Sequence, residues 1–211
     1  VVDAYTMTEA VKDGITVNLV YDGRAAKVML NQDKVRQIEE YYAQCELEGA
    51  NEHQVEESQK AVAKMEVIIG DPDRLRAVAE DFIKHYETRV AEGATVAGKA
   101  MFVCSNRNIA YDFYKIVKEL RPEWTEKKIC DDGVVLSEKD KKELKPMEKI
   151  KLVMTRNKDD EKDLFDMLGT KEDRKEFDRQ FKNPKSNFKI AIVVDMWLTG
   201  FDVPELDTVY I

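Results

Sequence analysis

Cysteine, histidine, proline and long apolar runs are all scarce in this 211-residue chain, and each scarcity removes a class of protein. It has three cysteines, Cys45, Cys104 and Cys130. Being odd in number and far apart in sequence, they do not make a disulfide framework and fit a reducing compartment. The two histidines, His53 and His85, give no Cys/His set with metal-ligand spacing. The longest apolar runs, 190–194 and 101–104, fall far short of the roughly 20 residues that cross a bilayer. No basic region followed by an apolar stretch opens the chain, so no secretory signal is expected, and a cytoplasmic location is. A start in mid-pattern without methionine, and an end inside an apolar run, read as an excised domain.

What is present is charge and pattern. Hydrophobic residues make up 43% of the chain and charged residues 36%, which together suit a sizeable core under a well-solvated exterior. The net charge of −8 weighs against tight nucleic-acid binding by this piece alone, because such binding needs a basic footprint, but leaves room for a local track on one edge.

Three regions follow from the periodicity. Residues 1–30 read as strands, with 15–21 and 25–30 joined at Asp22-Gly23 as a β-hairpin. Residues 31–97 read as a helical insertion. Val35, Ile38, Tyr42 and Cys45 share one helical face. Asp71 and Pro72 supply an N-cap and first turn for a second helix carrying Leu75, Val78, Ala79, Phe82, Ile83, Tyr86 and Val90, with Gly93 as its stop. Residues 98–211 alternate strands and helices. Ala100–Cys104 reads as a buried strand, and Ser105 as the cap of a helix that Arg121-Pro122 ends. A strand is expected near 127–130, a polar exposed insertion over 131–149, and a strand at 151–154. Helices follow around 164–168 and 177–181, the second opened by a Thr170/Asp173 capping box. A β-branched buried strand covers 190–194, and another strand begins at Thr208. Such alternation predicts an α/β fold with a doubly wound, mostly parallel sheet.

The informative stretch is 190–211, IAIVVDMWLTGFDVPELDTVYI. A buried parallel strand ends at Asp195, Gly200 permits a tight path, Asp202 follows, and Pro204 stiffens the exit. In open α/β sheets ligands bind outside the carboxyl ends of strands. Backbone N–H groups exposed in such a turn can bind phosphate. Taken as residues alone, Asp202 can equally cap a turn and Asp195 bond locally at a strand end.

This segment is similar to motif V of superfamily 2 helicases, and the run from Val193 to Pro204, with its LTGFD-x-P core, resembles the version found in type I restriction enzyme R (restriction and motor) subunits. Lys99–Arg107, KAMFVCSNR, resembles motif IV, and the segment containing Asp13-Gly14 is similar to the one that joins the two motor lobes of those subunits. The resemblance implies a RecA-like second motor lobe of an ATP-dependent DNA translocase, within a complex that translocates and cleaves DNA. It implies that Asp202, Gly200 and Asp195 face the nucleotide cleft, and that Thr199, Gly200, Ser105 and Arg107 touch the DNA backbone, positioning the duplex without reading its sequence. The implied partners are double-stranded DNA, the methylation and specificity subunits, and the first motor lobe of the same chain, with no membrane. The implied cofactors are ATP and Mg, bound mainly by that first lobe. No G-x-x-x-x-G-K-[ST] loop or Asp-Glu-x-x box is present, and motif VI with its arginine would follow Ile211. The fragment alone is therefore expected to have no catalytic residue of its own, no resident metal, and no ATP hydrolysis or DNA cleavage.

Other readings stay open at this point. One is the same lobe from another superfamily 2 helicase. A second is a non-catalytic interaction module with a helicase-like fold, which the acidic charge would suit. A small-molecule enzyme on a similar sheet would need a glycine-rich strand-to-helix turn or a His/Cys constellation, and neither is found. Trp197 is expected to pack on a neighbouring helix. The lysines of 139–151, interspersed with acids, are expected to lie in a solvated segment. Thr155, Arg156 and Asn157 follow a strand and could meet a phosphate.

Overall fold

Among the described residues, a sheet of four parallel strands forms the centre of the fold. The computed structural model describes residues 6–14, 16, 18, 20–24, 69–198 and 200–211. Strands β1 (Lys99–Val103), β2 (Ile150–Val153), β3 (Ile190–Val193) and β4 (Leu206–Tyr210) lie in the order β2-β3-β1-β4. The register sets Ala100 against Ile190 and Ile150 against Ile190, then continues residue by residue to Val103 and Val153 against Val193. Strand β3 is therefore sandwiched between two others, which is why Ile190–Val193 is apolar on both faces and wholly buried. The doubly wound, parallel α/β architecture expected from the alternating pattern is the one observed.

Helices cover both faces. On one face lie α2 (Pro72–Ala91), α3 (Arg107–Leu120) and α5 (Lys162–Leu168), whose Leu75, Phe82, Phe113, Val117 and Leu168 meet Ala100, Ile150, Leu152, Ile190 and Ile192 of the sheet. Phe82 is the hub of this layer. Its ring lies 4.8 Å from that of Tyr210, 5.2 Å from Phe102 and 5.7 Å from Phe113. On the other face, α6 (Lys171–Lys182) places Phe177 and Phe181 over Met101, Ala191, Val193 and Phe188.

The helix ends follow from local chemistry. The Asp71 carboxylate accepts from the backbone N–H of Asp73 and Arg74 at 3.2 and 3.3 Å, and Pro72 occupies the first turn, where no N–H is needed. Thr170 and Asp173 form the expected capping box of α6. Just before it, Gly169 has φ +65, and a Cβ there would stand 2.7 Å from that of Asp173, so the turn into the box requires glycine.

Several expectations are corrected. Residues 7–12, read as part of a strand region, form helix α1 (Met7–Lys12), because Thr6 and Glu9 make a reciprocal capping box that a strand reading overlooks. Of the hairpin, Thr16, Asn18 and residues 20–24 are described and none lies in a strand. The rest of the hairpin, the helix of Val35, Ile38, Tyr42 and Cys45, and most of the helical insertion lie outside the described residues. Asn106, not Ser105, caps α3, its side chain accepting from Ile109 N–H at 2.9 Å. No strand forms at 127–130. A single antiparallel bridge joins Lys128 to Met147 instead. The 131–149 segment is not wholly exposed, since Leu144 and Met147 are buried. It contains a short helix α4 (Glu138–Glu143), and buried Gln180 and Asn187 fasten it by donating to the carbonyls of Glu143 and Met147 at 2.9 and 2.7 Å.

Candidate functional site at the carboxyl edge of the sheet

Because β1, β2 and β3 are parallel, the loops that follow them leave the same edge. The loop after β1 is tied to β3 by the Cys104 N–H, which donates to Val193 O at 2.9 Å. It is tied to the loop after β2 by Arg107, whose guanidinium donates to the Thr155 carbonyl at 2.6 Å and to both carboxylate oxygens of Asp160 at 2.5 and 2.6 Å. The structure thus brings Ser105, Arg107, Thr155 and Asp195 to adjoining strand ends. Ser105 is exposed, with its helix-capping task taken by Asn106. Cys104 sits buried beside it, and burial pushes its thiol up to about 12, which removes it as a nucleophile near neutral pH.

The connection from β3 to β4, residues 194–205, passes β1, and none of its described residues lies in a helix. It is held by its apolar residues. Trp197 and Phe201 stack with ring centres 4.1 Å apart and planes 8° from parallel. Trp197 in turn stacks on Phe181 of α6 at 5.4 Å, as expected of it, and Val203 is buried in the same layer. Lys182 places its ammonium 4.7 Å from the centre of the Phe201 ring.

That anchoring turns the alternate residues outward. Asp195, Gly200 and Asp202 are all exposed. Among the described residues, no hydrogen bond or ion pair engages the Asp195 or Asp202 side chain, so neither caps a turn there. Thr199 lies outside the described residues. The backbone is strained on the way: Asp195 and Trp197 have φ +52 and +62, a region L-residues enter at a cost of roughly 1–2 kcal/mol each. Strain of this kind persists where surrounding structure over-determines it, and it gathers at functional loops. Gly200 also has positive φ, yet a Cβ added to it would meet nothing within 4 Å. Packing does not demand glycine there. Conformation does, and the open space leaves room for a ligand to approach the backbone.

Two features escaped the sequence. Asp160 is 6% exposed at its side chain and organises the loop after β2, but no pattern in TRNKDD singles it out from its acidic neighbour. Lys99, first residue of β1, is 1% exposed beneath the aromatic stack, donating to the Phe188 carbonyl at 2.5 Å with the Phe181 ring 5.1 Å away. Burial, with repulsion from Lys189, lowers its ammonium to about 7. Among the described residues no cluster of His, Cys, Asp and Glu could hold a metal ion, and no helix is long and apolar enough to cross a membrane.

The sheet and its loops define a doubly wound α/β domain of the RecA-like kind. A family profile, type I restriction enzyme subunit R domain 3, matches residues 96–211, and the chain belongs to that family. It is 33% identical over 210 residues to the type I restriction enzyme HindI endonuclease subunit of Haemophilus influenzae, covering 100% of this chain and 17% of that relative. It is 32% identical over 211 residues to a protein of Methanocaldococcus jannaschii provisionally named type I restriction enzyme MjaIXP endonuclease subunit, covering 99% and 17%. The chain therefore spans about a sixth of the length of these relatives. No solved structure is significantly similar to it.

Proposed function

We propose that this chain is the second motor lobe of an ATP-dependent DNA translocase, part of a type I restriction R subunit that translocates and cleaves DNA in the cytoplasm. In this reading residues 98–211 form the lobe, 1–30 connect it to the first lobe, and 31–97 are an insertion whose α2 helix shares the lobe's core. The observation that carries it is the connection after β3: a strained loop, pinned by Trp197 and Phe201, that offers Asp195, Gly200 and Asp202 to solvent, with no side-chain hydrogen bond or ion pair to Asp195 or Asp202 among the described residues. In a chain of this family, that loop suits the cleft between two lobes.

The roles divide by chemistry. The Gly200 N–H and the hydroxyls of Thr199 and Ser105 would meet DNA phosphates, which positions the duplex without reading it. Asp202, with Asp195 beside the strand end, would accept from a ribose hydroxyl or orient a water. ATP and Mg fit this chain only as a shared ligand, since two exposed carboxylates lack the amide cradle and lysine a triphosphate needs. The nucleotide, when bound by the first lobe, supplies the transferable phosphoryl group. This chain's residues bind, orient and couple. Double-stranded DNA and the methylation and specificity subunits are the proposed partners, and the cutting chemistry belongs to other parts of the protein.

The test is Asp202→Ala in the full-length R subunit with its partner subunits, read as DNA-stimulated ATP hydrolysis. An exposed side chain without partners has little to do with folding, so circular dichroism and melting temperature should stay unchanged. Turnover is expected to fall at least tenfold. Wild-type turnover would reduce Asp202 to a loop residue and favour an interaction module with a helicase-like fold, the reading that the net charge of −8 suits.

A further inference from the structure

Arg107 opens helix α3 at the carboxyl edge, where a free guanidinium would be a natural phosphate ligand. It is not free. One terminal nitrogen donates to the Thr155 carbonyl at 2.6 Å, and the other to both oxygens of Asp160. The Asp160 side chain is 6% exposed and that of Arg107 28%, so this pair sits largely out of water and is correspondingly firm. Asp160 is used a third time. Its Oδ2 also accepts from the Asn157 N–H at 2.6 Å, while the Asp160 N–H donates to Asn157 O at 3.2 Å. The 155–160 loop is thereby closed on itself and fastened to the start of α3 through one residue.

The loop carries cations that are not consumed in this way. Lys158 is exposed, with no ion pair among the described residues. Arg156 lies with its guanidinium carbon 4.3 Å from the centre of the Phe165 ring on α5, and its Nε is buried with no hydrogen-bond partner among the described residues. A phosphate approaching Arg107 would meet the Asp160 carboxylate as well. Among the described residues, one approaching Lys158 would meet no ion-paired acid, and one approaching Arg156 would meet only the longer-range attraction of Asp173 for that guanidinium.

We propose that Arg107 is a positioning residue: through Asp160 and the Thr155 carbonyl it sets the 155–160 loop so that Arg156 and Lys158 meet the nucleic-acid backbone, and it does not touch the nucleic acid itself. This rests on the reading of the carboxyl edge as DNA-facing. It assigns the electrostatic contact to the loop after β2 and to Arg107 the task of holding that loop still.

Charge and geometry make opposite predictions for one substitution. Asp160→Asn removes a negative charge and releases Arg107. If Arg107 were a phosphate ligand, DNA affinity would hold or rise. If it is a clamp, affinity falls although the surface has become more positive. The assay is the half-saturating concentration of a long duplex in ATP hydrolysis by the full-length R subunit with its partner subunits, measured across a salt series. For Asp160→Asn the half-saturating concentration is expected to rise about tenfold, which corresponds to about 1.4 kcal/mol. Turnover at saturating DNA should be retained. The slope of log affinity against log salt should become shallower by about one to two, because two cations lose their place. Arg107→Lys keeps the charge but cannot span both partners, so it should shift in the same direction. It also serves as the second variant should Asp160→Asn melt early. Unchanged or tighter DNA binding by Asp160→Asn overturns the proposal, as does wild-type behaviour of Arg107→Lys. Measuring Asp202→Ala beside them separates the two readings. Lost turnover there, with undiminished affinity in Asp160→Asn, overturns the clamp and leaves the motor reading standing. Weakened, salt-flattened binding in the clamp variants supports the clamp whatever Asp202→Ala does.

Discussion

Replacing the buried Lys99 with methionine should make this protein more stable at neutral pH and should change how its stability depends on pH. The residue is 1% exposed, and its ammonium's one hydrogen bond among the described residues goes to the Phe188 carbonyl. Among the described residues no carboxylate bonds to it. Glu205 and Asp131 attract it from a distance, while Lys189 repels it. Burial is the dominant effect and lowers the group from its ordinary 10.5 to about 7. At about 1.4 kcal/mol per pH unit, holding the charged lysine in the fold costs on the order of 5 kcal/mol at low pH. Methionine has a similar length and no charge, but it leaves the Phe188 carbonyl unpaired at a cost of about 1–3 kcal/mol. The net gain near pH 7 should be about 2–4 kcal/mol, or roughly 5–15 °C in melting temperature for a chain of this size.

The sign with pH follows from which state holds the proton. Between about 7 and 10.5 the unfolded lysine is protonated and the folded one is not, so wild-type stability rises with pH across that window. Below about 7 both states are charged and the cost is constant. The advantage of Lys99→Met should therefore shrink by about 1.4 kcal/mol for each pH unit from 7.5 to 9.5. Urea unfolding at three pH values in that range measures it. An advantage that does not vary with pH, or a variant less stable than wild type by more than about 1 kcal/mol, would refute the argument that this lysine is held against its own solvation.

Two further perturbations test the local strain. At Trp197, alanine should cost about 2–4 kcal/mol in urea unfolding through loss of stacking on Phe201 and Phe181, and glycine should cost about 1 kcal/mol less than alanine, because φ +62 suits glycine. The usual order has glycine the worse of the two, so its recovery would mean the strain is not there. Gly169→Ala should lower stability by about 1–3 kcal/mol, since a Cβ 2.7 Å from that of Asp173 must disturb the capping box of α6. A neutral result in thermal melting would show that the turn relaxes freely.

The sequence by itself determined the architecture on the described residues, because each element there is patterned by short-range chemistry. Asp71-Pro72 announces α2, the Thr170/Asp173 box announces α6, and the short, β-branched apolar run at 190–193 reads as a strand buried on both faces. The same short-range reading missed α1, whose capping box lies in a segment read for its β-branched residues. It also pointed to Asp195, Gly200 and Asp202, through a motif whose apolar positions are as regular as its polar ones. What only the tertiary structure decided is which of those residues are free. Arg107 looks like a ligand in sequence and is held by Asp160, 53 positions away. Lys99 stands one residue before the expected Ala100–Cys104 strand and is buried under Phe181, brought there by helix α6, which begins at Lys171. Partners at such separations leave no periodic trace in the chain, because the contacts that satisfy or strand a charge are made by the fold and not by sequence neighbours.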